Sequence, residues 1–292
     1  MLSWLFINVY RALRFQAESE KEQAMSSYTE NCKGENSLGR KNYVYLTLVM
    51  AITDFKIKYD NSVLGYFWSL LKPLLMFGTL YLVFSVFVRW QVENYKLYLL
   101  LGIILWNFLS EVTLNSMILL EGKAPILKKI YFPRWIIVIA SSLTSLLTLL
   151  LNIVVFFVFF ILSGASFRST SWRMVVYLIE LYVFVVGLAF LLCALFPKFR
   201  DIHHIWEVFV QLGFWATPII YPISIVPEKY HALIFLNPVA RIIQGCRQAL
   251  IGPSGEFLSF TSHIIVISVA ACVFVAGLTM FNKLSGSFAE DL

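Results

Sequence analysis

Long uncharged runs alternate with short charge-rich joints along this chain. Between residues 61 and 88 the only charge is Lys72, and between 97 and 120 only Glu111. Residues 135–167 carry none, 174–197 only Glu180, 208–227 none, and 257–282 none with His263 neutral. A helix needs about 20 apolar residues to cross the hydrocarbon core, so the pattern predicts six transmembrane spans. Stretches such as 153–162 are apolar on every side and lack the two-residue alternation of a barrel strand. Only helices and closed barrels satisfy their backbone in lipid, so the expected fold is an all-α integral membrane protein.

Composition agrees. The 292 residues are 59% hydrophobic and 14% charged, against about 25% charged in a soluble domain. With a mean hydropathy of +0.77, a water-soluble globule and a disordered chain are both excluded. Counting basic residues in the joints gives fifteen on the side of the termini and seven on the other. The positive-inside rule therefore puts both termini in the cytoplasm. The net charge of +6 largely restates this asymmetry and calls for no nucleic acid.

The joints differ in character. Residues 16–40 are polar and mixed in charge, a cytoplasmic extension; before them, 2–15 is either a short surface helix or a poorly ordered extension. The first ten residues are apolar but precede their basic residue, Arg11, so no secretory signal is expected. From 42 to 59, Tyr45, Leu48, Val49, Ile52, Phe55 and Tyr59 share one helical face, and Asp54 and Lys58 pair on another. The stretch is too short to span, which predicts an amphipathic helix at the cytoplasmic surface. Its role is either a simple anchor or a platform for a cytoplasmic partner. The joint 121–134 is basic, with Pro125 and Pro133 bounding a short helix. It is either a coupling element or a solvated loop that sets topology. Residues 218–255 hold five prolines among apolar residues, which predicts broken or re-entrant helices at a pore mouth.

Several chemistries are missing. Residues 34–41, GENSLGRK, space two glycines as a phosphate loop does, but Arg40 and Lys41 replace the required Lys and hydroxyl. His203 and His204 are adjacent and diverge on a helix, so no metal site is expected. Cys32, Cys193, Cys246 and Cys272 are scattered, and Cys193 and Cys272 are expected to be buried. No catalytic constellation is visible. Lys72, Glu111 and Glu180 lie inside spans, where ionisable groups face an interior or a partner. Glu111 and Glu180 keep open a rival reading, a self-powered secondary transporter or channel. Aromatics make up 16%. Trp68, Phe77, Tyr81, Phe84, Trp106, Phe209, Phe214 and Trp215 recur inside spans, as core packing, lipid contacts or a smooth lining for a sugar chain.

Three stretches carry a resemblance: DFKIKYDNSVLGYFWSLLKPLL at 54–75, KAPILKKIYFPR at 123–134 and LNPVARIIQGCRQAL at 236–250. Over about 42–284 the chain resembles the permease subunit of type-2 (ABC-2) ABC exporters of polysaccharides, those moving O-antigen, capsule or teichoic acid. The resemblance implies a homodimer in a bacterial inner or plasma membrane. It also implies two copies of a cytoplasmic ATPase that hold the ATP and Mg, with no cofactor on this chain. The chain then divides into a cytoplasmic extension (1–41), an interface helix (42–60), a six-span domain (61–284) and a cytoplasmic tail (285–292). By similarity, Asp54, Phe55, Lys56, Tyr59, Glu121, Lys123, Lys128 and Lys129 would couple to the ATPase. Pro218, Tyr221, Pro222, Asn237, Pro238, Arg241 and Arg247 would gate the exit. The aromatics of the first, second and fifth spans would line a channel between subunits. Lys56, Lys58 and Arg134 would steer the pyrophosphate of a lipid-linked polysaccharide.

Overall fold

The computed structural model describes residues 40–59, 65, 67–87, 94–123, 133–252 and 260–285. The chain divides into two units, Met1–Leu46 and Thr47–Leu292. Of the first only residues 40–46, the opening turns of α1, are described; the helical bundle belongs to the second. Every regular element among the described residues is helical. In order they are α1 (Arg40–Tyr59), α2 (Phe67–Tyr81), α3 (Tyr95–Gly122), α4 (Trp135–Leu162), α5 (Arg173–Leu195) and α6 (Ile202–Ala216). Two short 3₁₀ turns then lead to α7 (His231–Ile234), α8 (Pro238–Leu250) and α9 (Phe260–Leu284).

Among the described residues, five helices are long and apolar enough to cross a membrane: Phe67–Ser85, Tyr95–Gly122, Trp135–Leu162, Arg173–Leu195 and His263–Leu284. The remaining apolar run, 208–227, takes another form. α6 starts earlier, at Ile202, and stops after 15 residues because Thr217 is extended (ψ 139°) ahead of Pro218. Extended backbone is what a residue preceding proline prefers. At 1.5 Å per residue α6 is about 22 Å long, short of a hydrocarbon core of about 30 Å. The rest of the run belongs to the broken segment predicted from the prolines.

α3 is the hub. Leu97, Leu99, Leu100, Leu101, Ile103 and Leu105 are all sealed, so the N-terminal half of the helix is enclosed on every side. Around it stand α2, α4, α5, α6 and α8. α9 lies along α5, where Gly187 meets the Phe274 backbone so closely that a methyl group would come 2.5 Å from its Cα. Close approach at a small residue is how helices gain dispersion contacts in lipid.

α4 carries a ridge of small polar residues, Ser141, Ser142, Thr144, Ser145, Thr148 and Asn152, all buried. Their spacing of three and four keeps them on the protein side of the helix. Thr144 Oγ1 donates to Ala51 O of α1 (3.0 Å), Ser116 Oγ to Ser141 Oγ (3.3 Å), and Ser142 pairs with the Tyr182 hydroxyl (3.0 Å). Asn152 has a more specific task. Pro73 sits inside α2 and lacks the N–H that Ser69 O would receive in a regular helix. Asn152 Nδ2 donates to that carbonyl at 3.3 Å. Replacing Asn152 with alanine is expected to lower stability by about 1–3 kcal/mol. In a Pro73→Ala background, which restores the N–H, most of that loss should vanish; equal losses in both, measured by thermal unfolding, would contradict the pairing.

The amphipathic face of α1 is inverted relative to the bundle. Thr47 and Ala51 pack inward, whereas Leu48 and Ile52 are about half exposed, at 47% and 50%. With lipid as solvent, apolar side chains turn outward and small ones make the protein contact. Cys193 is buried as expected, but Cys272 is exposed on α9, and Cys246 is the second buried thiol among the described residues.

Candidate functional site

Two ends of α3, about 42 Å apart by helix rise, carry the two constellations of interest. At the C-terminal end, Lys123 follows the last turn of α3 and its Nζ meets Asp54 Oδ2 of α1 at 2.5 Å. The pair is well enclosed, with side-chain exposures of 12% and 11%. One turn further along α1, Lys58 Nζ meets Glu111 Oε1 of α3 at 2.5 Å. α1 is thus tied to α3 by two charge-assisted hydrogen bonds and to α4 by the Thr144 bond. Glu121 ends α3 in the open, and Lys56 is exposed on α1. Phe55 is half-buried, and Arg134 precedes α4. Tyr59 closes α1. Lys128 and Lys129, with all of 124–132, lie outside the described residues, as do 1–39 and 286–292.

At the N-terminal end of α3 the chain between α6 and α8 forms a plug of irregular backbone. Its carbonyls are held by side chains from regular helices. Arg247 of α8, 2% exposed, donates Nη1 to Pro218 O (2.6 Å), Nη2 to Ile219 O (2.8 Å), and both Nε and Nη2 to Tyr98 O (3.1 and 3.0 Å). Its guanidinium carbon lies over the Tyr98 ring, 3.4 Å from the centroid. Gly102 leaves the room it needs. Tyr95 Oη donates to Ile220 O (3.0 Å), and Tyr98 Oη reaches Tyr221 O (3.0 Å) and Pro218 O (3.3 Å). Irregular backbone at membrane depth persists only where such partners exist.

The predicted gate residues converge here. Asn237 caps α8, its Oδ1 accepting from Val239 N (3.0 Å), and Pro238 follows in the first turn, where a missing N–H costs nothing. The Asn237 Nδ2 donates to Thr217 Oγ1 (3.0 Å), tying the start of α8 to the end of α6. Arg241 donates to Phe235 O and covers the Phe235 ring. Tyr221 Oη returns to Ala216 O (3.0 Å), and Pro222 precedes the first 3₁₀ turn.

The aromatics sort into three groups. Phe77, Trp106 and Phe214 are buried, with Phe77 against Phe159 and Trp106 edge-on to Phe214 at 6.3 Å. Tyr81 and Phe84 are half-buried, Tyr81 stacking on Tyr95. Trp68, Phe209 and Trp215 stand on outward faces. α6 is the extreme case: Val210 and Phe214 are buried, while Ile205, Val208, Phe209, Leu212 and Trp215 all exceed half exposure.

One histidine reading changes, and another histidine gains partners. His203 and His204 do not diverge; their rings lie 5.5 Å apart, and with Glu207 their ligand atoms all fall within 4.8 Å. Tetrahedral bonds of about 2.0–2.1 Å would bring ligand atoms to about 3.3 Å, so the set is too open as it stands. His263 is not an isolated polar residue in a span. It bonds both Glu180 (3.1 Å) and Tyr177 (3.0 Å), partners more than 80 positions away that no local pattern signals. The α4 ridge was findable, because its Ser/Thr/Asn positions repeat every three or four residues in an otherwise apolar run.

Comparison with known proteins bears on this architecture. The profile of the family described as "ABC-2 type transporter" matches residues 45–251. The chain is 32% identical over 249 residues to an O-antigen export system permease protein RfbA of Klebsiella pneumoniae, covering 85% of this chain and 95% of that protein. A protein of the same name from Myxococcus xanthus is 25% identical over 265 residues, covering 87% and 99%.

Proposed function

The chain belongs to the ABC-2 type transporter family, and on that premise we propose that it is the transmembrane subunit of an ATP-driven exporter of a lipid-linked polysaccharide of the O-antigen class. Two copies form the channel in a bacterial inner membrane, α6 and the plug after it together make the sixth crossing so that both termini lie in the cytoplasm, and a separate ATPase binds the ATP and Mg. The observation that carries the reading is the plug at 217–221, since a broken backbone sealed by Arg247, Tyr95 and Tyr98 is suited to opening and reclosing.

In the working cycle, the ATPases close on ATP and push on the joint that begins at Glu121 and Lys123 and runs through Lys128 and Lys129. The Asp54–Lys123 and Lys58–Glu111 pairs pass the movement between α1 and α3. α3 carries it to the plug as a rigid rod. The substrate's pyrophosphate is drawn in by Lys56 and Arg134, with Lys58 holding α3 at the same time. Trp68, Phe209 and Trp215 give the glycan apolar faces without fixed hydrogen bonds. Glu111 and Glu180 both have local partners, which favours this cycle over gradient-driven transport.

The homodimer channel is tested by cysteine crosslinking in a cysteine-free chain. Trp215→Cys on α6 is expected to give a disulfide-linked dimer on mild oxidation in membranes. Val154→Cys on the exposed flank of α4 (62% exposed) is expected to stay monomeric. Crosslinking from Val154 and none from Trp215 would place the subunit contact elsewhere.

A further inference from the structure

A polar cluster that plays no part in this transport cycle lies between α5, α8 and α9, near the plug. His263 Nδ1 is 3.1 Å from Glu180 Oε1, its Nε2 is 3.0 Å from the Tyr177 hydroxyl, and the imidazole stacks on the Tyr177 ring at 4.7 Å. The Glu180 side chain is 5% exposed, and its Oε2 has no hydrogen-bond partner among the described residues. α8 closes over the cluster. Gly245 packs on the Tyr177 ring so tightly that a methyl group would overlap it, and Cys246 beside it is fully buried.

The other titratable groups facing the cluster are Arg173, from α5, and Cys246 and Arg247, from α8. Arg247 spends its donors on the carbonyls of Tyr98, Pro218 and Ile219 and makes no bond to Glu180. An ionised Glu180 beside a neutral His263 therefore leaves a negative charge on the pair itself, with one oxygen bare. That arrangement is costly in an apolar surrounding. One proton on the pair removes the charge, whichever atom carries it, because a coupled pair titrates as a unit.

We propose that Tyr177, His263 and Glu180 form a proton-holding latch for α8. The single proton shared by Glu180 and His263 keeps the pair neutral, and its loss to an alkaline medium on the plug side releases the Gly245 seat. The sign is fixed: α8 is held at neutral and lower pH and freed as pH rises. Because α8 also carries Arg247, release loosens the plug; that consequence rests on the proposed gate, while the latch does not.

Cys246 supplies the readout. A chain keeping Cys246 as its single thiol (Cys32→Ser, Cys193→Ala, Cys272→Ser) is labelled with a membrane-impermeant maleimide between about pH 6.5 and pH 9. A Glu180→Gln partner, neutral at every pH, is labelled alongside; an ionised Glu180 only makes the Cys246 thiol harder to ionise, so thiol titration by itself cannot raise the ratio. The ratio of rates is expected to be near one at the lower pH and about tenfold at the upper, as for a local opening that one state favours. A ratio flat across the range overturns the latch. Should Glu180→Gln not fold, the Cys246 rate is referred to that of Ser224→Cys in the exposed segment before α7, prepared alone, with the same tenfold rise expected and a flat line again overturning it. Labelling that follows pH while ATP-driven export does not would leave the latch standing and overturn the gate.

Discussion

Arg247→Met is expected to lower the midpoint of thermal unfolding by about 6–12 °C, corresponding to about 3 kcal/mol at about 2–4 °C per kcal/mol. Arg247 makes four hydrogen bonds to three carbonyls and is 2% exposed. Tyr98 O has its own helical partner and Pro218 O keeps the Tyr98 hydroxyl, but Ile219 O depends on the guanidinium. Methionine fills much of the volume and removes the cost of a buried charge, which offsets part of the loss. Lysine keeps the charge, yet its compact ammonium cannot span three carbonyls or lie over the Tyr98 ring, so Arg247→Lys should recover less than half. A shift under about 2 °C for the methionine variant would show that the plug is held by other contacts. In membranes the same variant should leak ions, because the plug would no longer reseal.

The second large effect lies at the other end of α3. Asp54→Lys sets two cations against each other in an enclosure where each was nearly sealed. Losing the pair is expected to cost about 2 kcal/mol of coupling, and hence about 30-fold in ATP-driven transport. The double swap Asp54→Lys with Lys123→Asp should restore most of the rate, since geometry and net charge return. Basal hydrolysis by the ATPase alone should be unchanged in all three. If the swap fares no better than the single variant while the protein still folds, the pair is not a transmitting contact. The readout is the ratio of transport to hydrolysis, which a merely stabilising pair would leave constant in the folded fraction.

Span-forming character was legible because lipid imposes it: about 20 residues without charge admit few other structures. Five of the six uncharged runs became long helices at nearly the expected positions. The sixth was broken by Thr217–Pro218, a local signal present in the sequence, although the absence of charge alone favoured continuing through it. Facing was much harder to read. On α1 the hydrophobic side was easily found, but Thr47 and Ala51 are the residues that pack, because lipid reverses the usual inside-out logic. The same ambiguity divided the aromatics: Phe77, Trp106 and Phe214 went to the core while Trp68, Phe209 and Trp215 faced outward, with nothing in their spacing to separate them.

Partner identity was the least legible property. Asp54 and Lys123 were both singled out, yet their union across 69 positions required the fold. Within α1, Asp54 and Lys58 were expected to pair at i,i+4; each instead reaches a residue of the α3 region, because an enclosed partner offers more than an exposed one. Of the Tyr177–His263–Glu180 cluster only Glu180 was marked in the sequence, as an ionisable group inside a span, and its union with His263 across 83 positions required the fold.

The central claim is that this chain is a permease driven by a separate engine. Its most direct test uses proteoliposomes containing the chain with and without its ATPase, supplied outside with a lipid-linked O-antigen-type glycan. The account predicts that glycan becomes protected from an added glycosidase only when both proteins and ATP are present. It predicts no protection by the chain alone under a proton or sodium gradient. Gradient-driven protection by the chain alone, or none by the folded pair with ATP, would contradict it.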